Sequence, residues 1–233
     1  MKTKEWNSVL NEFYKYLGEP NHRYNSFNLC FSFFQNLKRQ KPRYSDLTEQ
    51  EKELAMLNLA FYLASWGMYR GSSFLLRKDY KVYEPIIKKI WEKKYKNLWG
   101  YDFKRIENDE EKKNVVVLIM DLDKEIKKIL SEIRQTVKLD TRNKISSVLS
   151  TKILLGTVAC TPAYDRFFMN GLKKAENGFV QKFTEKSLLR IIDFILENKI
   201  SIEKIQKELV VKYKNNKVPD MKIVDSYFFV KGH

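Results

Sequence analysis

Two short segments hold the side chains best suited to chemistry. The first is Ala64-Ser65-Trp66-Gly67-Met68-Tyr69-Arg70-Gly71-Ser72-Ser73-Phe74. The second begins at Thr151-Lys152-Ile153-Leu154-Leu155-Gly156. It continues through Cys160-Thr161-Pro162-Ala163-Tyr164-Asp165-Arg166-Phe167-Phe168. The chain has only 8 glycines, and three of them fall in these segments. Glycine marks places where the backbone turns in ways other residues resist, so each segment sets polar and aromatic groups beside a break. Were the two to meet, Trp66, Tyr69, Arg70, Ser72, Ser73, Tyr164 and Arg166 would form a polar pocket with aromatic walls. Arg70 and the hydroxyls could hold a phosphate there, and Asp165 could pair with Arg166. Asp165 also has a purely structural use, because a carboxylate just before a helix caps its free N–H groups and complements its dipole.

Several common chemistries find no support. The two cysteines, Cys30 and Cys160, stand in apolar surroundings and form no disulfide framework. No Cys/His cluster has zinc spacing, and the two histidines, His22 and His233, lie in a polar loop and at the last position. No glycine-rich phosphate loop, dinucleotide fingerprint or nucleophile elbow occurs, so no cofactor is expected. Asp121 and Asp123 stand two apart, and on a helix such residues do not face each other, so no shared metal is expected.

Charge narrows the partners. The 44 Lys and Arg against 29 Asp and Glu leave +15, a field that attracts polyanions. Nucleic acid, DNA or RNA, is the first candidate and an acidic protein the second. Lysine abundance can equally serve solubility. Two lysine-rich faces stand out. Lys88, Lys89, Lys93, Lys94 and Lys96 surround Trp91 and Tyr95, and Lys124, Lys127 and Lys128 follow. Lysines interleaved with aromatics are what a surface needs to track phosphates and stack bases. No membrane contact is expected. The longest apolar run, Leu54 to Tyr69, is interrupted by Asn58, is too short for a span and ends at Arg70. The first residues, Met1 to Trp6, lack an apolar signal core, so a cytoplasmic protein is predicted.

Hydrophobic spacing predicts an all-α protein, one domain of nine or ten helices, with a weak subdivision in the charged loop near 100–110. Helices are expected over 3–17, 26–38, 48–70, 83–98, 108–137, 142–159, 163–176, 184–198, 201–213 and 219–230. Gly18-Glu19-Pro20-Asn21 should end the first. Thr48 and Glu51 read as a capping box, Thr184 and Ser201 as N-caps, and Pro85 and Pro219 as first-turn residues. Ala60, Ala64, Gly67 and Gly71 should form a ridge of small residues where another helix approaches closely. Val115 to Met120 could be a strand, but Leu122, Ile126, Ile129, Leu130 and Ile133 carry helical spacing back through it.

The order lysine, helix, proline, aspartate, helix over residues 142–175 is similar to the later half of the helix-hairpin-helix DNA glycosylase superfamily. That resemblance implies a helix-hairpin-helix-like second half, with Lys152 attacking a sugar C1′ to form a Schiff base. It also implies that Asp165 stabilises the positive charge on the sugar. Residues 64–73, Pro162-Ala163-Tyr164-Asp165-Arg166 and Met221-Lys222-Ile223-Val224-Asp225 resemble a group of all-helical bacterial proteins whose activity is not established. The leading expectation is a cytoplasmic bacterial nucleic-acid-binding protein of accessory or defence type. The alternatives are a base-excision or abasic-site lyase using Lys152 and Asp165, and a protein-interaction module with a basic surface.

Overall fold

The computed structural model describes residues 3–15, 19, 21–137, 144–175, 178–213 and 218–233. The sequence expectations for Leu17, Gly18, Pro20, 138–143 and 176 fall outside these. The described helices are α1 (Thr3–Tyr14), α2 (Asn25–Gln40), α3 (Glu49–Ser65), α4 (Glu84–Ile90), α5 (Asp109–Gln135), α6 (Ser147–Thr157), α7 (Arg166–Lys174), α8 (Glu185–Glu197), α9 (Lys199–Tyr213) and α10 (Asp220–Gly232). Short 3-10 turns lie between them, and no strand occurs among the described residues.

Local chemistry explains the starts of α3, α5, α7 and α8. Thr48 accepts from Glu51 N at 3.2 Å while the Glu51 carboxylate accepts from Thr48 N at 2.8 Å, the reciprocal pair of a capping box. Asn108, Asp165 and Thr184 accept from the N–H three residues on. In α5, Val115, Ile119, Leu122, Ile126 and Leu130 form one buried stripe, so the β-branched run is helical. Ser201 is not a cap. It lies inside α9, whose helix continues almost directly from α8. Pro219 stands just before α10 rather than in its first turn.

The largest departure is the end of α3. The helix stops at Ser65, five residues before the predicted end. Gly67 adopts φ +74°, Met68 N donates to Leu63 O at 2.9 Å and Gly67 N to Ala64 O at 2.9 Å. This is a Schellman termination, which a glycine at its left-handed position makes easy. The expected ridge of small residues therefore does not exist: Ala64 is exposed, and Gly67 and Gly71 are turn residues. The close helix contact lies elsewhere. A Cβ on Gly171 of α7 would stand 1.9 Å from Phe228 O, and one on Gly232 of α10 would stand 1.7 Å from Phe167 O. Only glycine lets the two backbones meet.

Buried apolar side chains from Trp6 to Phe229 form one connected cluster. α6 and α10 run through it, buried over most of their lengths. α10 lies against α7 and α1. α2 packs on α3 and α6, and α5 on α4, α6 and α8. The expected helix 83–98 is also divided. α4 stops at Ile90 and residues 93–98 continue as a 3-10 turn, which rotates Trp91 and Tyr95 into the core.

Candidate functional site

Three segments singled out in the sequence converge on Trp66. The turn after α3 supplies the indole, α6 supplies Lys152, the loop into α7 supplies Asp165, and the first turns of α10 supply Lys222 and Asp225. Lys152 Nζ lies 2.9 Å from Asp165 Oδ2, and Lys222 Nζ lies 2.7 Å from Asp225 Oδ2. Both ammonium groups approach the Trp66 ring, at 5.0 and 5.3 Å from its centroid, and the Arg23 guanidinium approaches it at 5.6 Å. Such contacts stabilise a cation held away from water. Tyr24 stacks on the same indole at 5.4 Å.

Each carboxylate does two jobs. Asp165 Oδ1 accepts from Phe168 N at 3.0 Å, capping α7, and Asp225 Oδ1 accepts from Ala163 N at 2.9 Å, tying the loop to α10. Tyr164 N donates to Thr151 Oγ1 at 3.0 Å, which fixes the loop to α6. Tyr62 lies fully buried beside them. Burial pushes its phenol well above the usual tyrosine range, and the charges of Asp225 and Asp165 push it further. The Trp66 Nε1 hydrogen has no acceptor among the described residues. The three buried charges, Lys152, Lys222 and Asp225, and the partly buried Asp165 carry a desolvation cost, offset here because each is paired and hydrogen-bonded. The Lys152 side chain is 4 % exposed, so its amine stands beneath the surface and beside a carboxylate.

The expected pocket of Arg70, Tyr164 and Arg166 does not form. Tyr164 is buried, and its hydroxyl shares a 2.7 Å hydrogen bond with Ser187 Oγ. Arg166 lies over the Phe167 ring at 4.9 Å. Tyr69 shares a 2.6 Å hydrogen bond with the Tyr83 hydroxyl. Arg70, Ser72 and Ser73 instead line a cavity of about 370 Å³ with Arg134, Lys144 and Ser146.

The lysine faces separate into paired and unpaired groups. Lys89 pairs with Glu92 at 2.7 Å and Glu125 at 3.2 Å, Lys94 with Asp121 at 2.6 Å, and Lys127 with Asp123 at 2.7 Å. The Lys89–Glu125 and Lys94–Asp121 contacts bridge α4 and the 93–98 turn to α5. Asp121 and Asp123 thus serve different partners. Hydrogen bonds from Lys94 and Tyr95 hold the Asp121 carboxyl below its usual range. Lys88, Lys93, Lys96, Lys124 and Lys128 are exposed and form no ion pair among the described residues. Trp91 and Tyr95 are no stacking platform. Both are buried, with Trp91 Nε1 donating to Lys41 O at 3.0 Å and the Tyr95 hydroxyl to Asp121 at 2.6 Å.

One further buried cluster carried no sequence signal. Lys104 is held between Asp102, at 2.7 Å, and Asp220, and Gln206 Nε2 donates to Asp220 at 2.9 Å. Burial raises the Asp220 carboxyl despite the lysine. The cluster borders a second cavity of about 370 Å³, whose wall includes Ala159 at φ +56°. That is a left-handed conformation unusual for alanine.

Among the described residues no helix is long and apolar enough to cross a membrane, and no group of three His, Cys, Asp or Glu is placed to hold a metal ion. No protein-family model matches the chain, and no curated protein or solved structure is significantly similar to it.

Proposed function

We propose that the protein binds nucleic acid through the phosphate backbone, along the seam between α4, the 93–98 turn and α5. The observation that carries this reading is the division of charge at that seam. Glu92, Asp121, Asp123 and Glu125 are engaged by Lys89, Lys94 and Lys127. Lys88, Lys93, Lys96, Lys124 and Lys128 remain exposed, and on α5 Lys124 and Lys128 each stand three residues from a carboxylate already taken. With Trp91 and Tyr95 inside the core, binding rests on phosphate contacts rather than base stacking, and is insensitive to sequence. Anisotropy titrations against duplex DNA, single-stranded DNA and RNA at several salt concentrations test this. Affinity falling steeply with salt supports it. No binding at low salt overturns it and turns attention to an acidic protein partner.

A second reading, an enzyme acting on DNA through Lys152 and Asp165, is favoured by their 2.9 Å contact. The glycosylase resemblance supplies only the two roles, Lys152 as nucleophile and Asp165 as stabiliser of positive charge on the sugar. Borohydride trapping on abasic DNA, absent in Lys152→Ala, would support it. A wild-type protein that never traps would exclude the lyase chemistry.

A further inference from the structure

α2 and α3 present an apolar surface that nothing among the described residues covers. Leu54, Leu57 and Phe61 stand on the outer side of α3, at spacings of three and four, and Leu29 stands on the outer side of α2. Leu29 and Phe61 are each 60 % exposed, Leu54 42 % and Leu57 41 %. The two helices pack on each other with Phe27 against Tyr62 at 6.3 Å, so Leu29 and Phe61 leave them near the same level. The half-buried Phe33 continues the surface one turn along α2. The other exposed large apolar side chains, Leu76, Val117, Ile200 and Val210, are spread over the 74–77 turn, α5 and α9. Single exposed apolar residues are ordinary, but four gathered on two packed helices mark a contact. They also make α3 apolar on both sides, the pattern of a helix buried all round.

Charge, polarity and size identify the occupant. The chain is 31 % charged, yet residues 24–37 and 54–69 contain no Asp, Glu, Lys or Arg. An acidic partner is drawn to lysine, not to this surface. Two copies at +15 repel, and here they can meet without setting like charges together. Charge returns only at the ends of the α3 stripe, with exposed Glu53 just before Leu54 and exposed Arg70 in the turn beyond the helix. A two-fold contact is the commonest symmetry of a homodimer. With the two α3 helices antiparallel, it turns the Arg70 end of one copy toward the Glu53 end of the other. The polar groups on the surface are already engaged. Asn58 Nδ2 donates to Leu54 O at 2.8 Å and Ser65 Oγ to Phe61 O at 2.9 Å, so covering them strands neither donor. The four side chains expose about 400 Å² of apolar surface, the size of patch that marks an interface. Against its own copy the patch withdraws about 800 Å², and a polar rim brings the total to the roughly 1,200 Å² at which stable interfaces begin.

We propose that a second copy of this chain covers the outer face of α2 and α3, in an antiparallel two-fold dimer centred on Leu57 and Phe61. The dimer does not rest on nucleic-acid binding or on the lysine seam.

Sedimentation velocity of the full chain, cleared of nucleic acid, tests this. The mass should rise from one chain to two as concentration increases to about 100 µM. Higher salt should tighten the dimer by screening the repulsion between the two chains, whereas it loosens nucleic acid. Leu57→Lys with Phe61→Lys places like charges at the centre of the contact. That double variant should stay a monomer throughout and keep the helical circular dichroism of the wild type, since both side chains are exposed. Leu29→Lys, on the other helix, should weaken the dimer by about tenfold or more. A wild type that stays a monomer, a dimer that falls apart as salt rises, or a dimer that survives the double variant overturns the proposal. A monomer that binds zwitterionic vesicles, and loses them in the double variant, also overturns it and gives the surface to a membrane. Replacing the five seam lysines should weaken nucleic-acid binding and leave the dimer in place, so the two readings fail separately.

Discussion

Gly67 lies directly against Arg70: a methyl group at position 67 would stand 2.9 Å from Arg70 Nε. The same glycine has φ +74° and ends α3. One residue therefore closes a helix and clears the space in which the guanidinium rests. Gly67→Ala should cost about 1–2 kcal/mol in urea unfolding, from the left-handed backbone alone. It should also displace the Arg70 side chain. Gly71→Ala, at φ +59° with open space around it, should show the backbone cost without the second effect.

The α7–α10 contact makes a stronger claim. Gly171→Ala forces a methyl group into the Phe228 carbonyl, and neither backbone can yield without moving a helix. The expected loss is about 3 kcal/mol or more, at the upper end for overpacking. Gly178→Ala, whose Cβ would meet nothing but whose backbone has φ +70°, should lose only the left-handed penalty of about 1–2 kcal/mol. Equal losses at the two positions would contradict the close approach.

Lys152 and Asp165 should behave as a buried pair. Lys152→Met leaves Asp165 without its cation and should destabilise the protein by about 3–5 kcal/mol. Lys152→Met combined with Asp165→Asn removes both charges while keeping a capping side chain, and should recover part of that loss. A double variant no better than the single would show that the pair contributes little.

Alkaline pH should unfold the protein. The phenol of Tyr44 is pushed up to about 12 by partial burial and by the neighbouring Glu84. Tyr62, Tyr83, Tyr95, Tyr101 and Tyr164 are also raised, in each case first by burial. Above pH 10 the unfolded chain releases these protons while the folded chain keeps them, so the folded state binds more protons and stability falls as pH rises. Phenolate absorbance should therefore appear together with loss of helical circular dichroism. Phenolate formation with the helices intact would count against the burial of these rings.

Replacing Lys88, Lys93, Lys96, Lys124 and Lys128 with Gln should flatten the salt dependence of binding. Each lost phosphate contact lowers the slope of log affinity against log salt by about 0.9 on duplex DNA. An unchanged slope would move the interface to another face.

The helical class, the start of α5 and the caps at Thr48, Thr184 and Asp165 were legible because each is decided within one turn of chain. The end of α3 was not. Ala60, Ala64, Gly67 and Gly71 keep helical spacing, and that periodicity hid the glycine that stops the helix. Trp91 and Tyr95 read as surface because lysines surround them, but the switch to a 3-10 turn changes which side faces inward. The partners of Lys152 and Asp165 were visible as residue types, and their meeting was a matter of 13 residues. Arg134 and Lys144 flank Arg70 only in space. The carboxylate of Asp225 ties down Ala163 from 62 residues away, and Lys104 meets Asp220 across 116. No local pattern encodes such pairings.

The placement of α10 has a consequence for how the protein is made. Residues 220–232 supply the surface on which α1 and α7 close, and Tyr14 finds Ser226 across 212 residues of chain. During synthesis Trp6 and Phe13 emerge from the ribosome long before the helix that shelters them. A nascent chain halted before Asp220 leaves those rings and the glycine face of α7 in water. Quality-control proteases would recognise such a fragment as unfolded, so a premature stop near the end should remove the protein from the cell rather than shorten it.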